Sequence, residues 1–318
     1  MAGKVNWRKL LATCGPLVGL LFACLFFLWQ APSSFRTMAN VQTIARQSTI
    51  VGIGALGMTL VIVSAGIDLS VGSSIALSTV VVAWVLKYTD MGPVCAGMAG
   101  IGAGALVGLT TGLLIMALRV VPFIVTLGMM LIVRGTAKGI AHQQTIEAPT
   151  TWLNDLLASG TWWLWPPGVW LMLLLAICMA LVLRYTVFGR HLFAVGSNEQ
   201  TARLCGINVS RMKVMVYTIS GAFVGLAGLM QFSRLTIGDP TVATGKELDI
   251  IAAVVIGGGS LSGGEGSILG SIVGALIMTV IRNGCSQMGI SNWVQEIVTG
   301  VIIVMAVFLD CMRRRRNA

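Results

Sequence analysis

Long apolar runs without a charge constrain this sequence more than any other feature. Residues 48–66 and 93–118 contain no charged side chain, and each matches the ~20 residues that cross a bilayer as a helix. The chain is 56% hydrophobic and only 10% charged, which is more apolar surface than a soluble core buries. Because backbone polar groups in lipid must pair within the chain, helices are favoured. The sequence therefore predicts an all-α fold, a polytopic integral membrane helical bundle.

About ten transmembrane helices are predicted from these runs, and an even number places both chain ends on one side of the membrane. The run at 248–262 is the weakest of the set because it is short and rich in glycine. The predicted crossings are residues 10–29, 48–66, 69–86, 93–118, 122–140, 168–183, 214–233, 248–262, 266–283 and 292–310.

Basic residues gather beside the predicted crossings. They lie near the N-terminus, between Arg184 and Lys213, and in the basic tail at 313–318, and they contribute to a net charge of +10. Loops rich in Lys and Arg stay in the cytoplasm, so we expect the N- and C-termini there. The charge indicates membrane topology, and nucleic acid is not expected as a partner.

We expect a single transmembrane domain over residues 1–318 with two long loops. The internal loop at 186–212 is polar and carries helix signals. The external loop at 142–167 carries tryptophans suited to the headgroup level of the bilayer, namely Trp152, Trp162, Trp163 and Trp165.

Glycines recur at every fourth position in two runs and as one further pair. This spacing lets helix backbones approach closely and gain dispersion contacts that lipid does not supply. We interpret them as packing positions: Gly100, Gly104, Gly108 and Gly112; Gly266, Gly270 and Gly274; Gly221 and Gly225.

Asp68 stands between two long uncharged runs. Asp68 or Ser70 could cap a helix that begins near Leu69, accepting hydrogen bonds from free amides at its positive end. The alternative is an ion-coupling carboxylate near mid-membrane, since acids inside a membrane are usually functional. The neighbouring glycines and serines favour the cap.

Two segments resemble each other within the chain, 63–73 and 256–267. In both, an apolar run stops at a turn of Gly, Ser and an acid and then restarts, and both are expected at cytoplasmic hairpins. Internal repeats of this kind are common in transporters.

The internal loop predicts one short helix at about 198–205. Ser197 and Gln200 fit a capping box, Glu199 suits the first turn, and Gly206 suits the end of the helix. Two turns are too short to be stable alone, so the helix must rest on something. A groove of a partner protein and the lipid surface both fit its mixed composition.

The sequence lacks the residues that several chemical functions need. No lysine is followed by Ser or Thr, so no phosphate-binding Gly-Lys-Ser/Thr loop is present and ATP is not hydrolysed by that route. Only two histidines occur, His142 and His191, without metal-ligand spacing around either. We expect no enzyme activity, no metal site and no cofactor bound by this chain.

Three motifs, in order, resemble the membrane subunits of ribose-type sugar ABC importers, a family of binding-protein-dependent transport permeases. They are the hairpin at 66–72, the loop at 189–198 leading to Gly206–Ile207, and the segment at 245–258 continuing into 260–264. The resemblance runs from about residue 45 to 310.

The resemblance implies a type II ABC importer-like permease of the bacterial inner membrane that translocates a monosaccharide. It implies four partners: a cytoplasmic ABC ATPase that holds ATP and Mg²⁺, a periplasmic sugar-binding protein, a second permease copy or paralogue, and membrane lipid. It also implies that 186–212 is the coupling loop that docks on the ATPase. One departure is visible, because relatives often have two alanines where this chain has Thr201–Ala202.

Two sets of site residues follow from the resemblance. The candidates for ATPase coupling are Gly189, Ser197, Asn198, Glu199, Ala202, Arg203, Gly206 and Ile207. The candidates for the translocation path or a gate are Asp68, Ser70, Ser73, Glu247, Asp249 and Ser260. Glu247 and Asp249, with Lys246, could line an external entrance or belong to a solvated loop that caps the next helix.

The alternative function is an ion-gradient-coupled secondary transporter of a small polar solute. Such a carrier needs acids inside the bundle. The candidates, Asp68, Glu265, Glu296 and Asp310, all fall near predicted helix ends, which favours the ATP-driven function.

Overall fold

The computed structural model describes residues 7–158 and 165–315. Lys4, Trp162, Trp163 and positions 316–318 of the predicted basic tail lie outside the described residues. The rest of the chain is almost entirely helical, which confirms the predicted all-α class.

Twelve α-helices occur in the described residues. They are α1 (Trp7–Gln30), α2 (Met38–Val63), α3 (Val71–Tyr88), α4 (Pro93–Leu118), α5 (Pro122–Ile140), α6 (Pro167–Tyr185), α7 (Val187–Ser197), α8 (Glu199–Leu204), α9 (Val209–Leu235), α10 (Lys246–Ile256), α11 (Ile268–Gln287) and α12 (Asn292–Arg315).

Seven helices in the described part of the chain are long and apolar enough to cross a membrane, α2 to α6, α9 and α11. Helices α1 and α12 contain the shorter apolar stretches Gly15–Gln30 and Asn292–Phe308, and α10 has only 11 residues. These ten helices correspond to the ten predicted crossings, so the polytopic helical bundle is confirmed. Most boundaries differ from the prediction by a few residues. The largest differences are at α2, which begins at Met38 rather than at 48, and at α10, which covers Lys246–Ile256 rather than 248–262.

Glycines at the predicted packing positions bring α4 and α9 together. A side chain at Gly104 would overlap the backbone of Gly221, and one at Gly108 would overlap the carbonyl of Tyr217. The second glycine series brings α11 onto α10, because Gly270 lies against the backbone of Gly257. Such contacts replace side-chain packing by direct backbone approach.

Two faces of the bundle are defined by loops that meet there. On one face, here called the strand face, β1 (Ile146–Glu147) pairs antiparallel with β2 (Ile237–Gly238). This pairing ties the loop after α5 to the end of α9. Helix α9 has 27 residues, about 40 Å, so its start near α8 lies at the opposite face, here called the hairpin face.

The segment between β2 and α10 runs back into the bundle along α3. Asp239 exchanges hydrogen bonds with the Thr79 hydroxyl (3.3 Å each), and the carbonyl of Ala243 lies against Gly72, nearly two turns closer to the start of α3. Helix α10 therefore begins inside the bundle. Glu247 and Asp249 lie in the first turn of α10 and Asp249 is fully buried, so their interpretation as parts of a solvated loop is wrong. Their role at an external entrance stays a prediction.

Candidate functional site

Helix α7 forms the first part of an arm on the hairpin face, and sequence reasoning missed it. Thr186 caps α7, its hydroxyl accepting the N–H of Gly189 (3.4 Å). Gly189 packs directly on the carbonyl of Leu183 in α6, which allows the chain to bend sharply between α6 and α7. Leu192 and Val195 are buried, so α7 is held against the bundle.

Helix α8 forms the second part of this arm, close to the predicted position. The Asn198 side chain caps it by accepting the N–H of Thr201 (2.9 Å). The predicted capping box of Ser197 and Gln200 is therefore wrong, since Ser197 is the last residue of α7. Asn198 takes this role because its backbone is extended between the two helices.

The end of α8 is confirmed at Gly206, whose φ is +83°. Its N–H donates to the carbonyl of Arg203, and the N–H of Ile207 donates to the carbonyl of Ala202 (3.1 Å each). This pair of bonds is the Schellman motif, which favours glycine at the left-handed position. Ala202 is buried and Ile207 half-buried, so both support α8 from beneath.

The outer surface of α8 combines charge with one exposed apolar side chain. Glu199 pairs with Arg203 within α8 (3.2 Å) and with Lys213 (2.6 Å). The second pair ties α8 to the start of α9. Leu204 is 89% exposed and projects from the last turn. A single exposed apolar side chain surrounded by charged residues is suited to binding in a groove of another protein.

Two hairpins meet the arm on the hairpin face. The Gly264 N–H donates to the carbonyl of Val63 (2.9 Å), and Gly196 of α7 lies against both. The two segments with related sequences, 63–73 and 256–267, are thus neighbours in space. Ser260 lies in the second hairpin, where its N–H donates to the carbonyl of Glu265 (3.1 Å).

The start of α3 holds Asp68, Ser70 and Ser73, all buried. Asp68 Oδ1 accepts hydrogen bonds from the N–H (2.8 Å) and the hydroxyl (2.6 Å) of Ser70. Burial raises the pKa of the Asp68 carboxyl above its ordinary value, and these bonds oppose that rise. The capping prediction is thereby corrected: Ser70 is the N-cap residue without a side-chain cap bond, and Asp68 binds Ser70 rather than the first-turn amides.

Two buried hydroxyls near the start of α3 lack partners among the described residues. They are Ser73 Oγ and Tyr217 Oη, and the Tyr217 hydroxyl lies close to Gly66 in the same hairpin. Unsatisfied buried hydroxyls are costly.

Glu247 at the start of α10 meets the start of α3. Its carboxylate lies directly over Gly72, and its Oε1 accepts the N–H of Gly245 (3.2 Å). The Arg134 guanidinium of α5 donates to the carbonyls of Pro240 (3.0 Å) and Val242 (2.7 Å). Arg134 thus fixes the re-entrant segment that brings Glu247 to this position.

Asp249, two residues after Glu247 in α10, is fully buried in an ion-pair network. It accepts from Arg282 of α11 (2.8 Å) and from Lys246 (3.3 Å). A charge within the membrane is tolerated only when it is paired. The network therefore fastens α10 to α11. The structure thus brings five of the six candidate path residues to the starts of α3 and α10, whereas Ser260 lies apart.

Residues 40–307 match the family described as branched-chain amino acid transport system / permease component. The chain belongs to this family. The permease is accordingly a transport component rather than an enzyme, and its apolar helices make it a multi-pass membrane protein. No group of three or more His, Cys, Asp or Glu side chains suited to a metal ion occurs in its described residues.

Individual relatives of the permease have sugar-transport names. It is 38% identical to the ribose import permease protein RbsC of Escherichia coli K12, over 92% of each chain. It is 37% identical to the Bacillus subtilis ribose import permease protein, over 99% of this chain and 97% of that one. It is 33% identical to the xylose transport system permease protein XylH of Escherichia coli K12, over 95% and 92%. No solved structure matches significantly.

Sequence reasoning missed Arg134, Gly196 and Arg282 as site residues of the permease. A signal was present for the two arginines, because each interrupts a predicted crossing and a charge there requires a partner. No local signal marks Gly196, whose contacts come from Val63 and Gly264, both distant in sequence.

Proposed function

We propose that this chain is the membrane permease subunit of an ATP-driven importer for a monosaccharide, ribose or a related sugar, delivered by a binding protein. The sugar is supported by the printed names of the relatives, two for ribose and one for xylose. The family description names branched-chain amino acids, but those individual relatives align over more than nine-tenths of the chain.

The observation that carries the proposal is the exposed α8 on the hairpin face. A capped, six-residue helix with Leu204 at 89% exposure is too short to be stable without support. Its ion pairs to Lys213 and its buried Ala202 supply that support from one side only. The other side is free to dock on a cytoplasmic ATPase, which supplies the energy because this sequence has no phosphate-binding loop.

In this proposal the hairpin face is cytoplasmic, and both chain ends lie there in a bacterial inner membrane. The polar residues at the starts of α3 and α10 would form a weak sugar-binding site inside the bundle. Hydroxyls of a sugar could bond to Ser73, Tyr217 and Glu247 without displacing the Asp249 ion pairs. Discontinuous helices that meet inside a bundle commonly mark such sites.

The ion-coupled carrier is less well supported, for a reason that differs from the sequence argument. Acids do lie inside the bundle, since Glu247 and Asp249 are there. However, Asp249 is neutralised by two cations. Asp68 is already bonded to Ser70, and Glu265 and Glu296 are exposed.

Reconstituted uptake tests the proposal. Vesicles containing the permease, its ATPase and its binding protein should accumulate labelled ribose or xylose only when ATP is supplied on the ATPase side. Vesicles with the permease alone and an imposed proton or sodium gradient are the matched comparison. Uptake driven by the gradient and indifferent to ATP would overturn the proposal.

A further inference from the structure

Three chain segments converge at one point on the hairpin face, here called the glycine junction and formed by Val63, Gly196 and Gly264. Gly264 donates its N–H to the Val63 carbonyl (2.9 Å). A Cβ at Gly196 would overlap that same carbonyl and would lie 2.8 Å from the Gly264 nitrogen. The last turn of α7 therefore lies directly on the hydrogen bond that joins the two hairpins.

The bond at the junction completes the end of α2. Ala65 and Gly66 donate to the carbonyls of Ile62 (3.0 Å) and Val61 (2.9 Å) in a Schellman motif. That motif leaves the Val63 carbonyl without an intrahelical partner, and Gly264 supplies one. Since buried carbonyls must be paired, this backbone hydrogen bond holds the second hairpin to the first.

The arm adds a second connection at the same place. Gly264 also lies 3.0 Å, measured from its ideal Cβ, from the Cα of Ser197. Asn198, the next residue, caps α8. Gly196 is thus separated by two residues from the helix that we assign to ATPase docking, and a shift of α8 reaches Val63 and Gly264 through backbone contacts.

The segments that leave the junction lead to the buried polar residues at the starts of α3 and α10. Val63 is followed by the hairpin that carries Asp68 and opens α3, and Gly264 is followed by α11, which carries Arg282. Both hairpins therefore connect the hairpin face with the residues at the starts of α3 and α10.

We propose that Gly196 is a positioning residue for coupling: the glycine junction moves as one unit with α8 and transmits its displacement to both hairpins together. This inference rests on the proposed function. Coupling of this kind needs rigid contact between elements with two arrangements, and direct backbone contact is stiffer than contact between flexible side chains.

The first test replaces the glycine by the smallest side chain. Gly196→Ala should separate α7 from Val63 and lower the sugar transported per ATP hydrolysed by about tenfold, within the usual range of coupling free energies. ATPase binding and hydrolysis should remain, because α8 itself is unchanged. Gly139→Ala is the matched control, since nothing lies near its Cβ. An unchanged transport ratio in Gly196→Ala would overturn the inference.

The second test measures motion in the native junction and does not depend on that variant folding. The exposed residues Gln200, Ser262 and Asp90 would be replaced by cysteine in two pairs, Gln200 with Ser262 and Gln200 with Asp90, and spin-labelled. The native cysteines would be replaced by serine in both variants. Between the nucleotide-free and ATP-bound complex, the Gln200–Ser262 distance should stay constant, while the Gln200–Asp90 distance across the bundle should change. A change in the Gln200–Ser262 distance during intact transport would overturn the inference.

The two proposals fail differently. If the unmodified complex shows no ATP-driven uptake, both the proposed function and this inference are overturned. If the unmodified complex transports normally and Gly196→Ala transports with equal yield per ATP, only the role of Gly196 is overturned.

Discussion

The carboxylate of Glu247 lies directly over Gly72, so that the first turn of α10 meets the first turn of α3 inside the bundle. The two residues are far apart in sequence: Gly72 follows the first hairpin, and Glu247 follows the re-entrant segment before α10. Their contact places a negative charge at the positive end of α3, where a helix stabilises it. It also means that a side chain larger than hydrogen at position 72 competes with Glu247 for space.

Gly72→Ala should destabilise the permease by about 1–3 kcal/mol, the usual cost of overpacking a filled site. Its Cβ would overlap the Glu247 carboxylate and lie 2.6 Å from the carbonyl of Ala243. The measurement is the unfolding midpoint in detergent. Gly128→Ala on α5 is the control, since its Cβ meets open space. Equal midpoints for the two variants would contradict the packing described here.

The Asp249 network predicts strong coupling between α10 and α11. Arg282→Met removes one partner of a fully buried carboxylate and should cost ~3 kcal/mol, near the lower end for breaking a buried pair because Arg282 is 28% exposed. Arg184→Met, on an exposed arginine, should cost little.

A double variant provides the decisive comparison for this network. Asp249→Asn with Arg282→Met should lose clearly less stability than the sum of the two single variants, because the Arg282–Asp249 pair is counted in both single variants and is lost only once in the double variant. The loss of the Lys246 pair is already included in Asp249→Asn alone. Additive losses in equilibrium unfolding would show that the two residues do not interact.

The crossings were predictable because their signal is local. An apolar run of sufficient length identifies a spanning helix whatever the rest of the chain does. The glycine spacing of α4 indicates close packing, but the sequence does not specify α9 as the partner. The path of residues 238–245 was not predictable in this way. It depends on the contact of Thr79 with Asp239, and nothing in either neighbourhood specifies the other.

Helix α7 shows a different limit of sequence reasoning. Gly189 and Gly196 weaken helix propensity, and the sequence predicts a helix only at about 198–205 within this loop. In the structure these glycines allow α7 to touch Leu183 and Val63, and this packing outweighs the propensity. The docking role of α8 and the path residues remain predictions, since their partners and substrate are separate molecules.

Asp68 should make stability depend on pH in a defined direction. Because burial raises its pKa in the folded state, the folded protein keeps the proton to higher pH than the unfolded chain. Its contribution is therefore most favourable below about pH 4, the unfolded pKa, and declines as the pH rises towards the folded pKa.

Asp68→Asn tests this dependence, since the amide oxygen can still accept from Ser70. The stability of Asp68→Asn relative to the unmodified protein should rise as the pH is increased from about 4, and then level off above the folded pKa. Unfolding midpoints across this pH range give the comparison. A relative gain by the unmodified protein with rising pH would mean that the carboxylate is stabilised as an anion.

The exposure of Leu204 predicts how a charge at this position affects docking on the ATPase. Its side chain is 89% exposed, so Leu204→Asp should change the free energy of unfolding of the permease by less than about 0.5 kcal/mol. Loss of an apolar anchor from an interface typically costs about 2 kcal/mol or more, so the affinity for the ATPase should fall at least about 30-fold. Co-purification and titration of the two subunits measure this fall.

Ser210→Asp is the matched control for that change, because it adds the same charge to an exposed position at the start of α9, outside α8. It should bind the ATPase nearly as well as the unmodified permease. If Leu204→Asp bound the ATPase as tightly as Ser210→Asp does, Leu204 would not lie in the interface. Docking would then involve another part of the hairpin face, because α8 exposes no second apolar side chain of comparable size in its described residues.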